Sequence, residues 1–336
     1  MFENTKVIDC HGHMTTPPGF RGAIANWVSQ NTGPSNHGAF PELSDEAMAG
    51  ANKRHLDMLD DHSIDYQLIS PRPIAMWHWM RPHLQYDWAH FTNDTIAQIM
   101  RLWPERFGGI AQLPQNRDLD GSHLVEELER TVTTMGFVGA LVNPDPGGDR
   151  LTPGMNEKYW YPLYEKAQEL NAVLMIHPSM SYDKRWEIVP ANYQMNNVVE
   201  EYIAMQLLEH GRVFDDFPNL KVFICHGGGA LHRFIKEDYH RGSRDLSNNL
   251  WFDSCVLEKN VLEAMIKQKT PQQVLFGTEA PGSGGAKRPE SGLPSDDLVP
   301  VIGEMEFLSD EDKKDIFREN IFRAVPLLDP NLPGVK

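Results

Sequence analysis

Eight short apolar runs recur along this chain, several of them followed by longer stretches with helical spacing, and this alternation limits the fold more than any other feature. The runs are Lys6–Cys10 (KVIDC), Asp65–Ser70 (DYQLIS), Phe107–Leu113 (FGGIAQL), Phe137–Val142 (FVGALV), Ala172–Ile176 (AVLMI), Leu220–Cys225 (LKVFIC), Leu250–Asp253 (LWFD) and Gln273–Gly277 (QVLFG). Apolar residues follow one another in them instead of alternating with polar ones, which is the pattern of parallel strands covered on both faces. Between the runs, Leu119–Met135, Tyr159–Leu170, Val198–Phe214 and Asp310–Asn320 carry apolar positions at helical spacing. A doubly wound sheet would show a dinucleotide fingerprint after an early strand; the run Gly227-Gly228-Gly229 follows a histidine and lacks that spacing. The reading is therefore a (β/α)8 barrel, in the TIM-barrel class, with its site at the C-terminal mouth of the strands.

With 336 residues, the chain is long enough for two domains but is read as one barrel over residues 1–336. Two long loops, residues 15–43 and 281–297, follow strands and are expected to lie over the mouth. The balance of 31 Lys and Arg against 47 Asp and Glu gives a net charge of −16, which disfavours nucleic acid and anionic membrane as partners. No apolar run approaches the ~18 residues of a membrane span, and the first residues do not resemble a secretory leader. Cys10, Cys225 and Cys255 are far apart and fit reduced thiols. A cytoplasmic protein is the expectation.

The chemistry gathers at strand ends. His11 and His13 sit at i and i+2 in Asp9-Cys10-His11-Gly12-His13, so both imidazoles point to one side. His177 follows AVLMI, His226 follows VFIC, and Glu279 lies just past VLFGT. Ends of different barrel strands converge on one mouth, so these groups read as one site. Any one of these histidines alone reads as an ordinary satisfied histidine near the core, but a buried cluster without a metal or counter-charge is costly. Three neutral imidazoles and one carboxylate suit Zn²⁺, with Mn²⁺ as the other candidate, and leave positions open for water and substrate. Glu279 can both touch the metal and take the proton of the water it activates.

Arg72, in Ser70-Pro71-Arg72-Pro73, can grip a substrate carboxylate with its planar guanidinium, against the plainer reading of a surface ion pair. Asn197 and Asn143 can donate amide hydrogen bonds, although Asn143 in NPDPGG equally reads as turn chemistry. His78, in AMWHWM, is a further substrate candidate in a run that otherwise reads as packing. Glu46 follows Ser44-Asp45 and is either a first-turn helix carboxylate or a proton donor. Lys287 and Arg288 are candidate helper cations in the last loop.

Six stretches, IDCHGH, SPRP, NPDPGG, MIHPS, CHGGGA and LFGTEAPGS, resemble the amidohydrolase superfamily nearly end to end, in its branch of aromatic-acid decarboxylases and hydratases. Glu279 stands where the decarboxylases carry Asp, and His11 where several carry Glu, which tilts the likeness towards the hydratases of protocatechuate 4,5-cleavage. The resemblance implies that His11, His13, His177 and Glu279 bind Zn²⁺ and that His226 orients water or substrate or transfers a proton. It implies a lyase that adds water to the C=C bond of an unsaturated oxo-tricarboxylate, hence a small anionic carboxylate substrate. It also implies a homo-oligomer, dimer or higher. Decarboxylation of an aromatic or muconate-type acid is the alternative, followed by lactone or amide hydrolysis. A metal-free binding protein on the same barrel is the reading from a different class.

Overall fold

In the computed structural model, residues 2–31, 33, 40–116, 118–189, 195–233, 244–282 and 284–336 are described. Each expected strand forms: β1 (Ile8–His13), β2 (Tyr66–Ser70), β3 (Phe107–Gln112), β4 (Gly139–Val142), β5 (Val173–Ile176), β6 (Lys221–Ile224), β7 (Leu250–Asp253) and β8 (Val274–Leu275). They pair in parallel and in chain order, β1 to β8. Backbone bonds from Cys10 N to Phe276 O (2.8 Å) and from Glu279 N to His11 O (2.7 Å) join the last strand region to the first. The result is a (β/α)8 barrel with a seam between β8 and β1.

Two layers of apolar packing explain why the strands read as unbroken runs. Ile8, Cys10, Leu68, Leu141, Met175 and Phe223 fill the interior, while Ile69, Val142, Leu174, Ile176 and Ile224 belong to the cluster packed against the surrounding helices. Both faces are dry, so neither face of a strand needs polar residues.

The helices are α1 (Phe20–Gln30), α2 (Asp45–Asp61), α3 (Pro82–Leu102), α4 (Leu124–Met135), α5 (Tyr161–Leu170), α6 (Met195–His210), α7 (Val213–Asp216), α8 (Lys259–Lys269), α9 (Val299–Gly303), α10 (Asp310–Lys314) and α11 (Asn320–Ala324). Ser44 caps α2 by accepting from Ala47 N, and Ser309 with Asp312 forms a capping box on α10. Three expectations are corrected. The stretch 15–43 is not an uninterrupted loop: Phe20, Ile24 and Trp27 form a helical stripe that packs with Met80, Leu84 and Trp88. Val198–Phe214 divides into α6 and α7 around Gly211 and Arg212, and a π-turn, Asp315–Glu319, separates α10 from α11. The segment 281–297 has neither helix nor strand among its described residues and is crossed by the bridge Lys287–Pro294. No helix among the described residues is long and apolar enough to cross a membrane.

Candidate metal centre

The first strand does not run evenly into the mouth. Its pairing with β2 slips by one residue between Asp9 and Gly12, and such a bulge re-aims the side chains beyond it. Ile8 and Cys10 stay in the interior cluster, and past the slip both His11 and His13 reach the shared site. Gly12 between them is required by close approach, because a Cβ there would lie 2.2 Å from Gln67 Cδ. Gln67 has no room to yield: its amide donates to Asp9 Oδ2 and Ala280 O, both at 2.8 Å, and its Oε1 lies 2.8 Å from His55 Nε2.

Four imidazoles meet at the mouth. The His11 ring centroid lies 5.1 Å from that of His13, 5.0 Å from His177 and 5.3 Å from His226. On each ring Nδ1 faces an acceptor: Asp253 Oδ2 at 2.6 Å for His11, Ser70 Oγ at 2.8 Å for His13, Pro178 O at 2.7 Å for His177 and Glu201 Oε1 at 2.8 Å for His226. Ser70 uses its own hydroxyl hydrogen on Gly12 O, so it accepts from His13. These partners place the proton on Nδ1 and leave every Nε2 turned inward, buried and without a hydrogen-bond partner. Glu279 Oε1 lies 3.7 Å from the Nε2 atoms of His13 and His177 and 3.6 Å from that of His226.

The ligating atoms of His11, His13, His177 and Glu279 all lie within 4.8 Å of one another. Buried imidazole nitrogens facing a carboxylate with nothing between them are destabilising, and a divalent cation at that point completes the arrangement. The set is therefore able to bind a metal ion. Burial lowers the pKa of His11, against the pull of Asp253, and pushes that of His13 down to about 3, so both are neutral and ready to ligate.

His226 differs. Burial works against its charge, but Glu201 and Glu279 raise its pKa well above the usual imidazole value. Burial pushes Glu201 up to about 7, against His226. Glu279 resists its own burial, because His226 and the close imidazoles of His13 and His177 hold it well below the ordinary carboxylate range. His226 and Glu279 both adopt left-handed backbone, at φ 49° and 60°. Such a conformation costs an L-residue about 1–3 kcal/mol and concentrates at functional sites. Gly227, Gly228 and Gly229 continue with φ of 63°, 82° and 79°, which is the use this chain makes of its glycine run.

Around this core the remaining candidates separate. Arg72 donates from Nε to Met14 O (3.0 Å) and from NH1 to Pro281 O (3.5 Å). No carboxylate ion pair with Arg72 is found among the described residues, so the surface ion-pair reading does not hold. Asn143 Oδ1 accepts from Asp145 N at 3.0 Å, the turn role, while its Nδ2 is buried and unpartnered. His78 Nδ1 donates to Gln115 O at 2.9 Å and its Nε2 is likewise buried and unpartnered; burial pushes its pKa down to about 4. Asn143 is held on the same Gln115, which exchanges two bonds of 2.8 Å with its backbone. Asn197 lies in α6, and its side chain falls outside the described residues.

Two expectations are corrected here. Glu46 is exposed in the first turn of α2, beside Asp45, which binds Arg101 in the last turn of α3. This ties the start of α2 to the end of α3, and Glu46 is exposed and not among the residues gathered at the cluster, so the structure does not place it there as a proton donor. Arg288 is buried in its own loop, where it donates to Ser295 O at 2.6 Å beside Asp296 and Asp297, so it does not serve the mouth. Asp253, Glu201 and Ser70, which fix three of the four rings, were not among the sequence candidates. Asp253 ends the run LWFD just as the histidines end theirs, and that was the available signal.

A barrel that gathers three inward-facing histidines and a carboxylate at its mouth defines an enzyme of the metal-dependent barrel class. The chain belongs to the amidohydrolase family, whose model matches residues 8–327. It is 34% identical to a 2-keto-4-carboxy-3-hexenedioate hydratase of Sphingobium sp., over 97% of this chain and 98% of that one. It is 25% identical to a 2-amino-3-carboxymuconate-6-semialdehyde decarboxylase of Dictyostelium discoideum, over 81% and 76%. The crystal structure of 4-oxalomesaconate hydratase from Rhodopseudomonas palustris superposes with a TM-score of 0.85 at 28% identity, over 97% of each chain.

Proposed function

We propose that this chain is a hydro-lyase that adds water to the C=C bond of an unsaturated oxo-tricarboxylate, converting 4-oxalomesaconate to 4-carboxy-4-hydroxy-2-oxoadipate in protocatechuate 4,5-cleavage. The observation that carries the reading is the placing of the Glu279 carboxylate 3.6 Å from His226 Nε2, beside the inward-facing nitrogens of His11, His13 and His177. Addition across a conjugated double bond needs a base for the water and an acid for the carbon, and this pair supplies both. The Sphingobium and Rhodopseudomonas hydratases support it.

His11, His13, His177 and Glu279 would hold the metal, with Zn²⁺ the ion proposed and Mn²⁺ the other candidate. When bound, the ion supplies Lewis-acid activation of water. Glu279 takes a proton as the water oxygen bonds to the fully substituted carbon of the double bond. His226 gives its proton to the neighbouring carbon, and that proton is replaced from Glu279, so one water is consumed and no other atom is gained or lost. Arg72 holds a substrate carboxylate, with the free Nδ2 donor of Asn143, the Nε2 acceptor of His78, and Asn197 as further contacts. Decarboxylation is the second reading, favoured by the Dictyostelium relative. The three cysteines are buried and free, which suits the cytoplasm. Association as a dimer or larger oligomer belongs to the same reading and is read by light scattering.

The test is to incubate the metal-loaded enzyme with 4-oxalomesaconate while following its conjugated absorbance, and with a panel of hydroxybenzoates and muconate-type acids while following CO₂. Hydration predicts loss of absorbance without CO₂; CO₂ release from an acid of the panel without hydration overturns it. Glu279→Gln is expected to lower kcat by at least a thousandfold while the far-ultraviolet circular dichroism stays unchanged. Near-normal hydration by that folded variant would show that Glu279 is not the base.

A further inference from the structure

A second guanidinium stands beside the one that holds the substrate carboxylate. Arg21, in the first turn of α1, and Arg72 line the same cavity of about 470 Å³. Arg72 is tied to the carbonyls of Met14, one residue past His13, and of Pro281, two residues past Glu279. The cavity is therefore tied through Arg72 to the segments just past His13 and Glu279, close enough for Glu279 to act electrostatically on Arg72, and Phe20, Arg21 and Ile24 of α1 line it on another side. Ile24, Trp77 and Trp88 give it apolar walls, which strengthen any charge pairing inside.

Neither arginine has a carboxylate partner among the described residues, although the chain carries 47 acidic residues against 31 basic ones. They also act on each other: burial first, and then the Arg21 charge, lower the pKa of Arg72, with Glu279 opposing. Two like charges facing one cavity without a counter-anion form a site for an anion with more than one carboxylate. The fold does not need Arg21 for this helix, since α1 is anchored by Phe20, Ile24 and Trp27 on its other positions.

We propose that this cavity is a subsite for a second substrate carboxylate, and that Arg21 is the residue that sets preference for tricarboxylates over dicarboxylates. The inference deepens the substrate class of the hydratase reading and rests on that reading. Arg72, fixed by two carbonyls, presents its remaining N–H groups to one carboxylate. Arg21, on its long stem at the exposed rim, reaches the next.

Calorimetric titration of the metal-loaded protein with tricarballylate and with glutarate tests it, using wild type, Arg21→Ala, Arg21→Lys and Arg72→Ala. Wild type is expected to bind tricarballylate more tightly than glutarate. Arg21→Ala is expected to weaken tricarballylate about tenfold, with glutarate changed less than twofold. Arg21→Lys recovers part of the loss, and Arg72→Ala weakens both. For hydration, Arg21→Ala is expected to raise KM about tenfold with kcat within twofold. Equal binding of the two probes by wild type, no binding of either, or an Arg21→Ala effect equal on both overturns the subsite. The reaction fails separately: wild type that prefers tricarballylate through Arg21 yet leaves 4-oxalomesaconate unchanged keeps the subsite and discards the hydratase reading.

Discussion

Each imidazole at the mouth has one nitrogen engaged by the protein, and the nature of that partner decides what the other nitrogen does. Neutral acceptors, Ser70 Oγ and Pro178 O, leave His13 and His177 as plain lone-pair donors. Glu201 does more, since its buried carboxylate favours the charged form of His226. Glu201→Gln is thus expected to lower kcat about a hundredfold with KM within twofold and metal content unchanged. Metal loss in parallel with kcat would instead make Glu201 a support for the whole cluster. The histidines and Glu279 were legible in the sequence because each ends an apolar run. Glu201 was not, because it sits in the helical pair Glu200-Glu201, and only tertiary packing separates a buried carboxylate from a solvated one. Nor could residue types alone reveal that Glu46 is exposed and apart from the cluster, since the path of α2 depends on its contacts with α3.

Helices α3 and α4 are joined by a polar knot around Glu127, whose side chain is fully buried. Arg130 donates to it from Nε and NH2, both at 2.8 Å, His90 Nε2 approaches to 2.7 Å, and Asn93 Nδ2 donates at 2.5 Å. Glu127→Ala strands these donors and is expected to cost about 3–5 kcal/mol at pH 7, measured by chemical denaturation. Burial works to raise the Glu127 pKa, but His90, Arg130 and Asn93 bring it below the ordinary value. A carboxylate lowered on folding stabilises fully above its unfolded pKa, about 4.3, and ceases to as pH falls through the folded value. The gap between wild type and variant should therefore be full at pH 7 and shrink below about pH 4; a constant gap from pH 7 to 3 would contradict the ion-pair account. At this scale the strands were legible because two dry faces leave an unbroken apolar signature. Helix α1 was hidden in a stretch rich in Gly, Pro and Asn, where its three buried residues are too few to stand out before their aromatic neighbours on α3 are known.

For the whole molecule, net charge proved a poor guide to the site. A balance of −16 describes the average surface, whereas Arg21 and Arg72 act over a few ångströms inside one cavity. Metal removal is the corresponding global test. The proposed ligands come from β1 and from the segments just after β5 and β8, so a bound ion ties the first strand region to the last. An ion present at a thousandfold its Kd stabilises by about 4 kcal/mol. Dialysis against dipicolinate is expected to lower Tm by several degrees, with recovery on adding Zn²⁺; an unchanged Tm in protein shown to be metal-free would rule out this tie.

The seam between β8 and β1 also sets a schedule for the cell. His11 and His13 lie on the first barrel strand and Glu279 just past the last, so a chain made from its N-terminal side completes the set only once the β8 region has emerged. A nascent chain that has exposed seven strands presents histidines to passing ions without the carboxylate that completes the set. Ligation by the full proposed set is thereby tied to the emergence of the β8 region.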